Sequence, residues 1–257
     1  MLVLAAHPDD ETIACSGLLQ RATASLVVFA VDGAPPRYGF ERKFGSLRQY
    51  SELRFREASS ALQNIPHCLF RRLTKPDDSW FVDQHLFLNL PDAFASLISI
   101  VNDFSPDLLV SHALEGGHID HDACHILANR AAHCLHLPAL EFPLYWRSPR
   151  GQDIFQKFRD QREREFLLNL TEQERTRKLQ MLAQYRSQHG LVSVFDLETE
   201  RFRPVTPLDL SRVPWQDYPF ENRRKPLTKV TFLQKVSDFS EASANPGNLA
   251  KPPCPYR

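Results

Sequence analysis

Apolar residues in the first half of the chain fall into short unbroken runs separated by longer amphipathic stretches. Leu2–Ala5, Ser25–Val31, Cys68–Leu73, Asp107–Ser111 and Leu140–Tyr145 read as strands. They are nearly continuously apolar rather than alternating, as strands covered on both faces are. Glu11–Thr23, Leu47–Asn64, Pro91–Phe104 and Asp120–Leu135 carry apolar residues at helical spacing. Strands alternating with helices predict an α/β fold: a Rossmann-like, doubly wound, mostly parallel sheet with helices on both faces. Such sheets bind ligands beyond the carboxyl ends of their strands. "AHPDDE" follows the first strand and "SHALEGGHIDHD" follows the fourth, so both segments reach that edge.

The second half is less regular and reads as a helical and irregular extension. Phe155–His189 is charge-rich with a helical pattern, and "TEQE" at Thr171–Glu174 is a capping-box signature that splits it into two helices near Leu170. Val192–Val205 reads as a hairpin or edge strands, and Leu208–Arg224 as a loop rich in proline and aromatics. We expect one domain over residues 1–240 and a flexible proline-rich tail over 241–257. The first strand begins at Met1 with no lead-in, so the start codon is expected a few residues upstream.

The 257 residues hold 31 Lys plus Arg and 31 Asp plus Glu, a formal net charge of zero. Non-specific nucleic-acid binding needs a basic surplus, so no nucleic-acid partner is expected; the "RDQRERE" run reads as a solvated helix face. The longest apolar runs span six residues, far short of the roughly 18–20 of a membrane helix, so no stable membrane insertion is expected. The five cysteines are scattered without a C-x-x-C pair, which fits a reducing cytoplasmic setting. Oligomeric state leaves no mark in the sequence.

Candidate chemistry starts at "HPDDE". Pro8 favours an extended His7 and a turn into the following helix. Asp9 or Asp10 can serve as a plain N-cap there. That reading leaves a strand-terminal histidine followed by three acids without a purpose. His7 and Asp10 lie three apart across the turn and can converge on one ion. In the second segment, Gly116 and Gly117 free the loop before His118, Asp120 and His121. One His and one Asp from the first loop with one His from the second would make a three-ligand zinc site with an open fourth position. A competing reading takes His121 and His125 at i, i+4 as a metalloprotease-type helix, with Asp122 in the place of the glutamate. It leaves "HPDDE" idle. No dinucleotide or P-loop motif is present.

"AHPDDE" followed about a hundred residues later by "HxDH", with "ELRFREASSAL" between them, resembles the PIG-L (LmbE-like) zinc-dependent N-deacetylase family; the likeness extends through "LEFPLYW" and "MLAQYRSQ". The resemblance implies that His7, Asp10 and His121 bind Zn2+, with Fe2+ or Co2+ also suited to such donors. It implies Asp9 as general base, His118 as the oxyanion stabiliser with Asp120 tuning it, Arg54 as a substrate-binding arginine, and Asp77, or its neighbour Asp78, as a carboxylate holding sugar hydroxyls. If Asp120 bonds His118, its charge is expected to keep that imidazole protonated. The substrate implied is a small N-acylated sugar or glycoconjugate, and the reaction removal of an N-acyl group, acetyl first. An amidase acting on another small conjugate, such as a thiol metabolite or an antibiotic precursor, and a metal-bound, non-catalytic binding module are the alternatives.

Overall fold

The computed structural model describes residues 1–36, 39–160, 164–188, 190, 194–209 and 229–244. Five parallel strands form its centre: β1 (Leu2–Ala5), β2 (Ser25–Phe29), β3 (Cys68–Arg72), β4 (Leu109–His112) and β5 (Ala139–Phe142). The helices between them are α1 (Asp10–Arg21), the short α2 (Phe40–Phe44), α3 (Leu47–Leu62), α4 (Leu90–Phe104) and α5 (Ile119–Leu135). Beyond β5 come the hairpin β6 (Tyr145–Arg147) and β7 (Asp153–Phe155), then β8 (Phe166–Asn169), α6 (Glu172–Leu182), β9 (Thr199–Pro204) and α7 (Lys229–Ala244).

The main sheet runs β3-β2-β1-β4-β5-β9-β8, and the chain reverses direction across it between β1 and β4. Doubly wound sheets open a ligand crevice at that switch point. Alternate side chains of each strand feed two separate cores. Leu2, Leu4, Leu26, Val28 and Leu109 pack under α4, α5 and α7. Val3, Ala5, Val27, Phe29 and Val110 pack under α1, α3 and α6. Both faces are dry, which is why these strands read as unbroken apolar runs.

The second half departs from the sequence reading. Among the described residues of the stretch 155–189, only Glu172–Leu182 is α-helical; its Thr171–Glu174 capping box is formed on both sides. Phe166–Asn169 is instead a strand, because it pairs antiparallel with Thr199–Phe202 of β9, and ladder pairing overrides a weak helical propensity. β9 is interior rather than an edge, lying between β5 and β8. Leu140–Tyr145 breaks at Pro143, which cannot donate to a ladder, and its two parts enter different sheets. Most of the Leu208–Arg224 loop and the tail from Asn245 fall outside the described residues.

Candidate functional site: a histidine–aspartate cluster at the switch point

β1 and β4 end side by side, and the loops that leave them face each other. The β1 loop carries His7, Asp9 and Asp10; the β4 loop carries His118, Asp120 and His121. His7 Nδ1 lies 3.3 Å from Asp10 Oδ2, His121 Nε2 lies 3.5 Å from the same oxygen, and the two ring nitrogens are 3.3 Å apart. All three residues are buried. Two facing imidazole nitrogens hold at most one proton between them, so the arrangement asks for a cation. A tetrahedral ion with donors at about 2.0–2.1 Å sets those donors about 3.3–3.4 Å apart. The triangle fits a divalent ion on spacing and on donor type alike.

Electrostatics match. His121 is pushed down to about 3 by burial and by its neighbour His112, so its ring is neutral at physiological pH, as a metal donor has to be. Asp10 is buried, which would raise it, yet His121, His112 and His7 hold it well below the usual carboxylate range. Burial likewise lowers His7, but Asp83 and its contacts with Asp10 and Asp120 lift it well above its ordinary value. In the metal-free chain a proton on His7, with the Arg54 guanidinium beside Asp9, supplies positive charge among the acids.

Asp9 stands outside the triangle. It holds the N-cap position of α1 but its side chain caps nothing, and its φ of 133° lies in the region that favours glycine. Its N–H donates to Glu11 Oε2 at 3.0 Å, and its carboxylate accepts from Arg54 at 2.8 Å. Burial pushes Asp9 up to about 7 against the opposing pull of Arg54. Arg54, expected to bind substrate, spends its terminal nitrogens on Gly33 O, Pro8 O and Asp9. It lines the cavity while clamping the Asp9 turn.

His118 N-caps α5, its Nδ1 accepting the Asp120 N–H at 3.2 Å. That bond corrects the expectation of a protonated ring. A nitrogen that accepts carries no proton, and burial, with His7 and His121 nearby, holds His118 well below its ordinary value. The Asp120 carboxylate accepts from the N–H groups of Gln84 and Leu86 and sits 3.6 Å from His7 Nε2. It therefore steadies His7 as well as the loop before α4.

Asp77 is exposed and turned onto Ser79, and it does not reach the cavity beside the cluster. Asp83, six residues on, does, with Oδ2 3.5 Å from His7 Nε2. No motif marked it. His112 was also missed: its ring stacks on His121 at 4.1 Å, but its Nε2 is taken by the Ala6 N–H. The only sequence signal was a histidine closing a strand. His125 points away from the cluster, toward His112 O and Glu141, so the i, i+4 histidine reading fails. Other donor subsets also converge here, namely His7, His118 and His121; His7, Asp83, His118 and Asp120; and Asp10, His112 and His121.

The family model described as PIG-L, GlcNAc-PI de-N-acetylase, matches residues 2–132, just over half the chain. The chain belongs to the PIG-L family. That match contains both loops of the histidine–aspartate cluster and stops before the hairpin, α6 and β9. No curated protein sequence matches this PIG-L chain. Among solved structures, a zinc-inhibited teicoplanin deacetylase superposes with a TM-score of 0.61 at 20% identity, covering 81% of this chain and 98% of its own. N,N'-diacetylchitobiose deacetylase from Pyrococcus horikoshii gives 0.53 at 14% identity, covering 79% and 82%. A 4-carboxy-2-hydroxymuconate hydratase from Pseudomonas putida gives 0.50 at 15%, covering 81% and 96%. These likenesses establish the fold; a hydratase among them means that the reaction has to be argued from the side chains.

Proposed function

We propose that this PIG-L protein is a metal-dependent hydrolase that removes an N-acyl group, acetyl in the simplest case, from an amino-sugar-containing substrate. The observation that carries the reading is the 3.3–3.5 Å triangle of His7, Asp10 and His121 with a second aspartate beside it. These three would hold one divalent ion, Zn2+ first and Fe2+ or Co2+ as alternatives. When bound, the ion supplies Lewis acidity toward water and the amide carbonyl.

The remaining steps fall to the chain's own residues. Asp9 takes the proton from the attacking water and hands it to the departing amine. A carboxylate near pH 7 suits both directions of transfer. Arg54 fixes its orientation. His118, with Nδ1 occupied as an acceptor, carries its proton on Nε2 and donates it as a hydrogen bond to the carbonyl oxygen as charge builds there. Asp83, in the role first given to Asp77, receives sugar hydroxyls.

The test is acetate release from N-acetylglucosamine and its glycosides by the metal-replete chain. Release that a chelator abolishes and zinc restores supports the reading. No release from any N-acyl amino sugar overturns the amino-sugar reading, and release from other N-acylated conjugates would then retain only the hydrolytic chemistry.

A further inference from the structure

The cavity beside the cluster has a volume of about 460 Å³. Asp9, Asp83, Gln84 and His118 give its lining polar groups. Phe40, Leu144, Tyr145, Phe155, Val194 and Phe195 give it apolar ones, and the Tyr145 ring lies 5.0 Å from that of His121. Phe40, Tyr145, Phe155 and Phe195 are only half-buried, Tyr145 and Phe195 resting against the core under α1, α3 and α6, and Val194 is 52% exposed. Apolar surface left facing a cleft marks a place where something binds.

The aromatic wall is built rather than incidental. β6 and β7 form a two-stranded sheet apart from the main one, with Tyr145 opposite Phe155 in register. Phe155 in turn meets Phe195 edge to face at 5.4 Å. The hairpin is pressed onto the His118 loop so closely that a Cβ on Gly117 would lie 1.9 Å from Tyr145 O. The side chains Leu144 and Val194 offer nothing to a sugar hydroxyl. Asp153, the acid at this end, is engaged by Arg147 at 2.6 Å.

We propose that the substrate carries an apolar arm, aryl or alkyl, which lies against Tyr145, Phe155, Val194 and Phe195 while the N-acyl amino group meets the histidine–aspartate cluster. The inference rests on the deacetylase reading for the reacting end of the substrate, but not for the arm. The arm can be the aglycone of the sugar or an extended acyl chain; the shared chemistry is apolar bulk attached within reach of the amide.

Two series separate the sources, each measured as kcat/KM with the zinc-loaded full chain. In the first, methyl and phenyl N-acetyl-β-glucosaminide differ only in aglycone. In the second, methyl glucosaminides carrying N-acetyl and N-octanoyl differ only in acyl chain. Burying a ring or several methylenes is expected to raise kcat/KM about tenfold in one series. Phe155→Ala and, at the exposed rim, Val194→Ser are expected to cut that ratio to within about threefold. Two flat series, or a ratio that both variants keep, overturn the proposal. Calorimetric titration of phenyl β-glucoside and octanoate, against methyl β-glucoside and acetate, provides a readout free of turnover. If no glucosaminide is hydrolysed the deacetylase reading falls, and the affinity ratios still decide the arm: tighter binding of an apolar member, weakened by either variant, upholds it, and equal binding refutes it.

Discussion

Asp9 occupies backbone space that costs a side chain about 1–3 kcal/mol, and two contacts hold it there, the Glu11 carboxylate on its N–H and Arg54 on its side chain. Asn matches Asp in shape, so it meets the same backbone constraint, but it cannot take a proton. Asp9→Asn is expected to keep the fold and its metal, read by thermal melting and metal analysis, while turnover drops roughly 10²–10⁴-fold. A bound cation favours ionised Asp9, so in the active chain kcat/KM should rise with pH through a value below the about 7 of the metal-free chain. An acid limb that Asp9→Asn keeps unchanged would remove Asp9 as the base. His118 performs two jobs that substitution can separate. His118→Ala loses cap and donor together, about 1 kcal/mol of stability and roughly 10²–10³ in rate. His118→Asn should recover the stability through its own cap and leave the rate low, as melting and kinetics on the same samples will tell. Sequence alone exposed His7, Asp9, Asp10, His118 and His121, because acids and histidines at strand ends have little other reason to cluster. It hid Asp83, whose approach to His7 depends on how the long loop after β3 folds back, and it misjudged His118, whose protonation depends on a backbone bond.

At the scale of elements, α6 and β9 are fastened to α1 by two buried carboxylates. Glu200 accepts from Ser16, Gly17 and Leu18 and pairs with Lys178 at 3.1 Å, both side chains fully buried. Glu11 accepts from Tyr185, Thr12 and Asp9. Removing one partner of a buried pair costs about 3–5 kcal/mol when the remaining charge has no other support. Lys178→Met leaves Glu200 with its α1 donors and should fall at or below that range. Glu200→Leu strands Lys178 and three α1 donors at once and should be the worse of the two, as urea unfolding would show; the opposite order would mean that α1 does not depend on Glu200. The parallel strands and their helices were legible because period and length agree on both faces. The second half was not, because β8 and β9 are specified by each other across the intervening helix and by these carboxylates, contacts that no local window contains.

For the whole molecule, the concentration of acids at the switch point has a cost in the metal-free chain. Asp32 accepts the N–H groups of Ala34 and Asp83 on one oxygen, yet burial raises it to about 6, with Asp83 and Asp120 adding to the rise. A raised carboxyl stabilises the fold below its unfolded value, about 4, and that contribution is lost as pH climbs through about 6. Metal-free protein should therefore lose up to about 2–3 kcal/mol between pH 4 and 6.5 from this group. Asp32→Asn keeps the acceptor oxygen and should flatten that slope in denaturation curves taken at several pH values. An unchanged slope would place the cost elsewhere. Among the described residues, no helix is long and apolar enough to cross a membrane.

The division of labour between the two halves also bears on how the chain is made. His7, Asp10 and His121 have all left the ribosome well before Tyr185 and Glu200 are synthesised. A nascent chain arrested once α5 and β5 are free of the tunnel holds all three residues of the triangle, but Glu11 still lacks its tyrosine and the Gly17 edge of α1 its carboxylate. If the triangle holds metal as proposed, capture can precede the fastening of α1. Arrested chains released by tunnel length should retain a divalent ion before residue 200 emerges and gain protease resistance in α1 only after it does.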